Sequence, residues 1–447
     1  MDLIEAWHGL LRADGEFPAQ LSASLAAEMR ARKLTFGDRI HCPFLRPFFL
    51  TAADETRIRR AAETIAALGE RVARAAMDSP PLLRALGVTS DEEPLIRIDP
   101  GYDTASTASR LDAFLLPDSL RFAEYNAESP AGPAYTQRLC ELFDALPVMA
   151  SFRDRRTVSF HRAIPALLEA LLASYREWGG RATPPLVAIV DWREVPTWSE
   201  FEIIREAFES SGVPAIVCDP RELAYDRGAL VAEGRTIDLV YRRVLLNDIV
   251  ARPDECAALV DAYAAKAVCV ANTFRCKLAH KKAFFAVLTD PLHAGLFSDA
   301  ERAAIRSHIP WTRLVADTSG ERDGTRASLL EIARRNREAL VLKPNDEYGG
   351  KGVRLGWEST PAAWEAALED AARDQPGSWI LQERIAVRRE VFPQFDDTGR
   401  VTMRDMLVDL APYLFRGRLG GYLTRLSATG LANVTSGGGQ VPPFVVS

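Results

Sequence analysis

Residues 186 to 244 alternate between short apolar runs and one amphipathic stretch, and this alternation constrains the fold more than any other feature of the chain. The apolar runs at 186–190, 213–217 and 237–241 have the length of buried strands, and residues 201–210 have helical spacing. Strands that alternate with helices form a parallel sheet with helical crossovers. The sequence therefore predicts an α/β protein built around a parallel layer.

The rest of the chain is expected to add three further segments around this layer. Residues 1–94 are expected to be mainly helical, because residues 52–76 place small apolar residues and charges at helical spacing. Residues 95–180 combine short strands with helices, and residues 276–447 combine strands, a glycine loop and helices. The parallel segment, 181–275, resembles a small Rossmann-like layer, but it lacks the Gly-x-Gly-x-x-Gly turn of a dinucleotide site.

Composition and charge restrict the classes of protein that this chain can represent. Its 55 basic and 61 acidic residues give a formal charge of −6, which argues against a nucleic-acid partner. Six cysteines without Cys-x-x-Cys spacing indicate neither a zinc site nor a redox motif, and they fit a reducing compartment. Because neither a signal peptide nor an apolar run of about 18 residues is found, we expect a cytoplasmic protein without a membrane span.

A lysine at a predicted strand end is followed by a glycine-rich loop, Lys-Pro-Asn-Asp-Glu-Tyr-Gly-Gly-Lys-Gly-Val, at residues 343–353. The proline after the lysine cannot continue a central ladder, and the glycines let the backbone approach a ligand closely. Ammonium groups and backbone N–H groups together suit phosphate oxygens. A solvated surface hairpin is the alternative for a glycine-rich loop considered alone. The candidate phosphate contacts are Lys343, Gly349, Gly350, Lys351 and Gly352.

Three oxygen-bearing side chains lie earlier in the chain, on two predicted strands joined by a turn at 117–119. Glu124 and Asn126 are two residues apart and therefore share one face of their strand. Asp112 can meet them from the neighbouring strand of the hairpin. Two carboxylates and one amide oxygen form a hard site suited to Mg²⁺, whereas an isolated Glu-x-Asn is more often a solvated strand face.

The lysine loop resembles that of the ATP-grasp superfamily, where such a lysine and loop cover the phosphates of ATP. Residues 280–285 resemble the earlier ATP-contacting lysine of that superfamily, and we favour Lys282 over Lys281 for this role. Residues 379–385 resemble its hinge strand, which holds adenine. The resemblance implies that Gln382, Glu383 and Ile385 line the nucleotide, with Glu383 or Glu390 at the ribose.

The carboxylate set resembles the start of the glutathionylspermidine synthetase family, where an Arg-x-Asp strand and a Glu-x-Asn strand supply the magnesium ligands. This resemblance implies that Arg110 contacts the substrate or the transferred phosphate, and that Ser129 lies beside the acyl substrate. In the turn after Asn126, Glu128 and Ser129 replace the Asp and Thr of the family.

The metal ligands precede the lysines here, which is the order of the circularly permuted ATP-grasp branch. Residues 420–426 resemble a late glycine–arginine segment of that branch, so Arg425 would be a phosphate-stabilising cation. A competing assignment would place the metal on Asp409 and Asn433. It ranks lower because Leu431 occupies the position where a carboxylate would be needed.

These resemblances imply an α/β protein with α+β lobes, namely a circularly permuted ATP-grasp fold with a Rossmann-like pre-ATP-grasp domain. The implied activity is an ATP- and Mg²⁺-dependent carboxylate–amine ligase that acts through an acyl phosphate and releases ADP and phosphate. Its partners would be a small-molecule acid and amine, with a homodimer as an open option. The alternatives are a small-molecule kinase and a non-catalytic nucleotide-binding protein.

Overall fold

The computed structural model describes residues 3–12, 17, 19–37, 39–315, 319–322, 324–347, 349–429 and 438–447. Sheets and helices are mixed throughout, as the sequence predicts. The α-helices of these ranges are Leu3–Leu11, Ala19–Ala31, Ala52–Met77, Pro80–Ala85, Glu92–Arg97, Pro133–Asp144, Pro147–Arg153, Ala163–Trp178, Trp198–Ser210, Leu246–Ala251, Pro253–Ala264, Lys277–His280, Ala283–Thr289, Asp299–His308, Leu329–Arg335 and Pro361–Arg373. None of them combines the length and hydropathy that a membrane crossing requires.

The predicted parallel layer is confirmed, and it gains one strand. Its four strands, in spatial order, are Cys269–Ala271, Leu239–Arg242, Val187–Val190 and Ala215–Cys218. Strands such as Val187–Val190 are buried along their whole length, as expected for a parallel sheet covered on both faces. The helix Trp198–Ser210 includes the predicted helical stretch.

A central antiparallel sheet joins the early and late parts of the chain. Its strands, in spatial order, are Gly439–Gln440, Arg418–Ser427, Val401–Phe415, Ala108–Leu115 and Leu120–Asn126, with Arg388–Phe395 also paired to Val401–Phe415. The predicted hairpin is confirmed, with Asp112 opposite Glu124 and Arg110 opposite Asn126. On its other side, Arg110 faces Tyr413, which brings the late strands against the hairpin.

The lysine loop extends from a smaller antiparallel sheet, called here the loop lobe. Its strands, in spatial order, are Thr312–Leu314, Trp379–Glu383, Leu340–Pro344 and Arg354–Leu355. The helices Leu329–Arg335 and Pro361–Arg373 complete a separate small core that contains Leu342 and Trp364. The strand that carries Lys343 ends at Pro344, as predicted from the missing N–H of proline.

A fourth sheet joins the N-terminal and C-terminal parts of the chain, because Pro443–Val446 pairs in parallel with Phe48–Thr51 and antiparallel with Val158–Ser159. The main hydrophobic core accordingly runs from Ala6 to Val446. The division of the chain into four segments stays a prediction.

The remaining short elements lie around the sheets. The strands are Thr35–Phe36, Arg39–Ile40, Ala224–Asp226, Ala229–Ala232, Arg235–Thr236, Ser319–Arg322 and Thr325–Ser328, and the 3₁₀ turns are Pro220–Glu222, Phe274–Cys276, Pro291–Leu296 and Arg337–Ala339.

Candidate functional site

A cleft that is partly open to solvent separates the acidic hairpin of the central sheet from the loop lobe. The structure therefore brings together two segments that lie more than two hundred residues apart in sequence. The predicted site residues that line this cleft are Asp112, Glu124, Lys282, Lys343, Gly349, Gly350, Lys351, Gln382, Glu383, Ile385 and Arg425.

Lys343 projects its ammonium group into the space between the two lobes. Its Nζ donates hydrogen bonds to Gln382 Oε1 at 2.7 Å and to the backbone oxygen of Ala123 at 3.4 Å. The pKa of Lys343 lies at about 8, below its usual value, because burial and the positive charge of Lys282 lower it while Glu124 and Asp112 oppose the shift. A partly buried cation whose charge is weakened in this way favours an anionic ligand.

Lys282 also faces the cleft, whereas Lys281 does not line it. Lys282 Nζ donates to the backbone oxygen of Glu347 at 2.5 Å and lies 3.8 Å from Glu124 Oε2. Lys281 is 2% exposed and pairs with Glu92 and Asp346 on the far side of the loop. This placement agrees with the preference for Lys282 as the residue that contacts a ligand in the cleft.

The glycines of the lysine loop adopt backbone conformations that other residues rarely take. Gly349, Gly350 and Gly352 have φ angles of +66°, +76° and +75°. A Cβ atom on Gly352 would lie 2.7 Å from Pro344 Cγ, so this glycine also permits a close turn. Gly352 faces a second pocket behind the loop. Tyr348 lies outside the described residues.

A compact group of two carboxylates and two guanidinium groups lies on the central sheet, on the side of the cleft formed by the acidic hairpin. Arg425 bridges Asp112 and Asp409, with Nε donating to Asp409 Oδ2 at 2.6 Å, and Arg110 Nε donates to Asp112 Oδ1 at 2.8 Å. Burial opposes ionisation of Asp112, but the two arginines outweigh it and hold its pKa below the usual range. Burial raises the pKa of Asp409 to about 6, with Asp112 adding to the rise and Arg425 opposing it.

The predicted magnesium ligands have the right atoms but do not form a ready-made cage. Both oxygens of Asp112 already accept hydrogen bonds from arginines, and the Asn126 amide donates to Glu124 Oε1 at 3.1 Å. In the described part of the chain, no three His, Cys, Asp or Glu side chains are grouped to hold a metal. Glu124 and Asp112 both line the cleft, so these two carboxylates fit a cation that retains several waters, whereas Asn126 does not line it.

The competing metal assignment depends on Asn433, which lies outside the described residues. Asp409, its other member, does line the cleft. Sequence reasoning gave this aspartate a role only in that competing assignment, because its cross-strand partner Arg425 is visible only from the strand register.

An apolar wall of the cleft was missed from the sequence. Val341, Leu355, Trp357 and Val387 form it beside Gln382 and Glu383 of the predicted hinge strand. The alternation of Val353, Leu355 and Trp357 at a spacing of two was the available signal. Glu383 lines the cleft, whereas Glu390 does not line it and is held by Arg46 at 2.8 Å.

Four predicted site residues are not on the wall of the cleft. Arg110 lies behind Asp112, with Nη1 donating to the backbone oxygen of Ala131 at 2.9 Å. Ser129 Oγ donates to the backbone oxygen of Arg243 at 2.6 Å, which places it just beyond the carboxyl end of the strand Leu239–Arg242. The other two are Asn126, whose amide donates to Glu124 Oε1, and Gly352, which faces the second pocket.

No protein-family model matches this chain, and no curated protein matches it by sequence. Among solved structures, it is similar to a glutathione synthetase-like effector from Globodera pallida in its apo form, with a TM-score of 0.61 and 14% identity over 96% of this chain and 98% of that one.

Two further structures have TM-scores that are too low to show a shared fold. A putative gamma-glutamylcysteine synthetase from Methylobacillus flagellatus gives 0.41 at 12% identity, covering 86% of this chain and 85% of that one. A D-cycloserine synthetase gives 0.28 at 20% identity, covering 45% and 59%. The first comparison, with the glutathione synthetase-like effector, shows a shared overall fold over nearly the whole length of the chain.

Proposed function

We propose that this protein is an ATP- and Mg²⁺-dependent ligase that joins a small-molecule carboxylic acid to an amine. The observation that carries the proposal is the shared cleft, in which two lysines and a glycine loop face an acidic hairpin. The likeness to a glutathione synthetase-like effector supports the same class of fold. We further propose that the fold is a circularly permuted ATP-grasp fold related to glutathionylspermidine synthetase, with the parallel sheet as its Rossmann-like layer.

The lysines and the apolar wall would bind the nucleotide. Lys343 and Lys282 would donate to phosphate oxygens, and the backbone N–H groups of Gly349 and Gly350 would add further donors. The purine would lie against Trp357 and its apolar neighbours, because aromatic side chains stack on flat rings. Binding of an anion would also restore a full positive charge on Lys343, which burial weakens in the free protein.

The hairpin side would hold the cation and the reacting groups. Glu124, Asn126 and Asp112 would bind Mg²⁺, which neutralises phosphate charge when it is bound. Arg425 would steady the charge that develops during transfer, while Arg110 would hold Asp112 in place. Ser129 is proposed to lie beside the acyl substrate, at the carboxyl end of the parallel strand Leu239–Arg242.

The proposed reaction has two steps. A carboxylate oxygen of the acid would attack the terminal phosphoryl group of ATP, which gives an acyl phosphate and ADP. The amine nitrogen would then attack the acyl carbon, lose a proton and displace phosphate, which leaves an amide. The identity of the acid and the amine, a homodimeric state and a cytoplasmic location stay predictions.

An ADP-release screen with pooled amino acids, peptides and polyamines tests this function. We expect release that depends on both an acid and an amine, and a loss of about 10²–10³-fold in Lys343→Met and Glu124→Gln. Matched controls are Lys33→Met and Glu338→Gln, whose side chains are 56% and 78% exposed. These controls should retain full activity.

Three results would contradict the ligase proposal in different ways. A phosphorylated product formed without any amine would indicate a kinase. ATP binding without turnover across the pools would indicate a nucleotide-binding protein. Unchanged ADP release in both site variants would mean that the cleft is not the site of the chemistry.

A further inference from the structure

A chain of buried ion pairs runs behind the lysine loop, on the side away from the cleft. Its members alternate in sign, and successive pairs are separated by 3.0, 2.8, 2.6, 3.3 and 2.9 Å. All six side chains are at most 18% exposed. In order, they are Glu92, Lys281, Asp346, Lys277, Glu128 and Arg242. We call this set the ion chain.

The ion chain joins parts of the molecule that are distant in sequence. Glu92 begins a short helix near the N-terminus, and Arg242 ends a strand of the parallel sheet. Glu128 belongs to the turn that carries Ser129, and its carboxylate also accepts the backbone N–H of Leu246 at 2.7 Å. The chain therefore connects the lysine loop to the parallel sheet and to the N-terminal helices.

Asp346 is the only member of the ion chain that lies within the lysine loop. Its Oδ1 accepts from Lys277 at 2.6 Å and its Oδ2 from Lys281 at 2.8 Å. Burial opposes ionisation of Asp346, but the two lysines outweigh it and hold its pKa well below the usual range. Both oxygens of this carboxylate are thus held by cations outside the loop.

The residues on either side of Asp346 hold Lys282. The backbone oxygen of Asn345 accepts the N–H of Lys282 at 3.0 Å, and Asn345 Oδ1 accepts the N–H of Ala283 at 2.8 Å. The backbone oxygen of Glu347 accepts Lys282 Nζ at 2.5 Å. A displacement of Asp346 would therefore move both attachment points of this lysine.

We propose that Asp346 is a positioning residue, which holds Lys282 and the glycine loop in the geometry required to bind nucleotide phosphates. This inference rests on the proposed function of the cleft. Asp346 touches no ligand in this assignment and acts through Lys282. Buried ion pairs are weak evidence for stability, and a role in holding the geometry of the site is what we propose for this set.

The alternative is that the ion chain only stabilises the fold, and Glu92 offers a matched comparison. Glu92→Gln and Asp346→Asn each remove one of the two carboxylates that contact Lys281. Only Asp346 belongs to the loop. A purely structural role predicts that both substitutions affect nucleotide affinity in proportion to the stability they remove.

Titration calorimetry with MgADP and urea unfolding, applied to the full-length protein, tests the proposal. We expect Asp346→Asn to weaken MgADP binding on the order of tenfold. Glu92→Gln should bind MgADP within about twofold of wild type, even if its urea unfolding midpoint falls as far as that of Asp346→Asn. Asp346→Glu keeps the charge and should recover most of the affinity. If Asp346→Asn does not fold, Asp346→Ser is the neutral variant that is compared with Glu92→Gln.

The outcomes separate the two proposals. Wild-type protein that does not bind MgADP would overturn the proposed function and this inference together. If wild type binds and Asp346→Asn binds equally well, the positioning role is refuted while the ligase proposal stands. Equal losses of affinity in Glu92→Gln and Asp346→Asn, at equal losses of stability, would also refute the positioning role.

Discussion

Replacement of Lys343 by methionine should stabilise the protein at pH 7 while strongly lowering the proposed ligase activity. Burial lowers the pKa of this lysine from 10.5 to about 8. The difference between these values corresponds to about 3 kcal/mol that the folded state loses by keeping the ammonium charged. Methionine has a similar length and no charge, so the substitution removes this cost.

The net gain in the free energy of unfolding is smaller than the full cost of keeping the ammonium charged. Lys343 donates a hydrogen bond to Gln382 Oε1 at 2.7 Å, and leaving that oxygen without a partner costs about 1–2 kcal/mol. We therefore expect Lys343→Met to raise the free energy of unfolding by about 1–2 kcal/mol at pH 7.

The sign of the effect should change with pH. Because the folded pKa of Lys343 lies below the unfolded value, the unfolded state binds more protons between about pH 8 and pH 10.5, and wild-type stability recovers as pH rises through this window. By pH 10 the cost of the charge has fallen to about 1 kcal/mol, so the variant should be no more stable than wild type.

Urea unfolding at pH 7 and pH 10, followed by circular dichroism, measures both values. Lys33→Met is the control, because its ammonium lies at the surface 3.7 Å from Glu206 and should show no such pH dependence. A Lys343→Met variant that is less stable than wild type at pH 7, or that differs from it equally at both pH values, would refute the reasoning.

The remaining predictions concern the cation, the nucleotide and the packing of the loop lobe. Glu124→Gln should raise the Mg²⁺ concentration needed for half-maximal activity by about tenfold or more, since a carboxylate ligand becomes a weaker amide ligand; unchanged Mg²⁺ titration curves would contradict this. Trp357→Ala should raise the KM for ATP by about tenfold with little change in kcat, because the wall contact exists in both ground and transition states; steady-state kinetics at saturating acid and amine check it. Gly356→Ala should destabilise the protein by about 1–3 kcal/mol, because its Cβ would lie 1.9 Å from a backbone oxygen, whereas Gly295→Ala has open space; urea unfolding should separate the two variants.

The elements predicted best are those whose signal is local. The parallel strands, the hairpin of Asp112 and Glu124, and the strand that stops at Pro344 all follow from side-chain periodicity or from proline chemistry. The lysine loop was recognisable because lysine and glycines are contiguous in the chain. Each of these features depends on residues only a few positions apart, so a single sequence carries the whole signal.

The contacts that make the cleft are of a different kind. Arg425 meets Asp112 across 313 residues of sequence, and no local pattern specifies that pairing. The apolar wall around Trp357 forms only when distant segments pack together. The buried position of Asp409 likewise depends on strand register between distant segments. The position of Ser129 also depends on a distant segment, because its hydroxyl contacts Arg243 at the carboxyl end of a parallel strand.

The amino-acid sequence by itself determined which residues carry charge, which strands and helices form, and where the loop is free to turn. Only the tertiary structure decided which charges share one cleft, and that Asp346 has a lysine on each of its two oxygens. The physical reason is that charge interactions and pKa values depend on distance and burial, and both are set when segments far apart in the chain pack together.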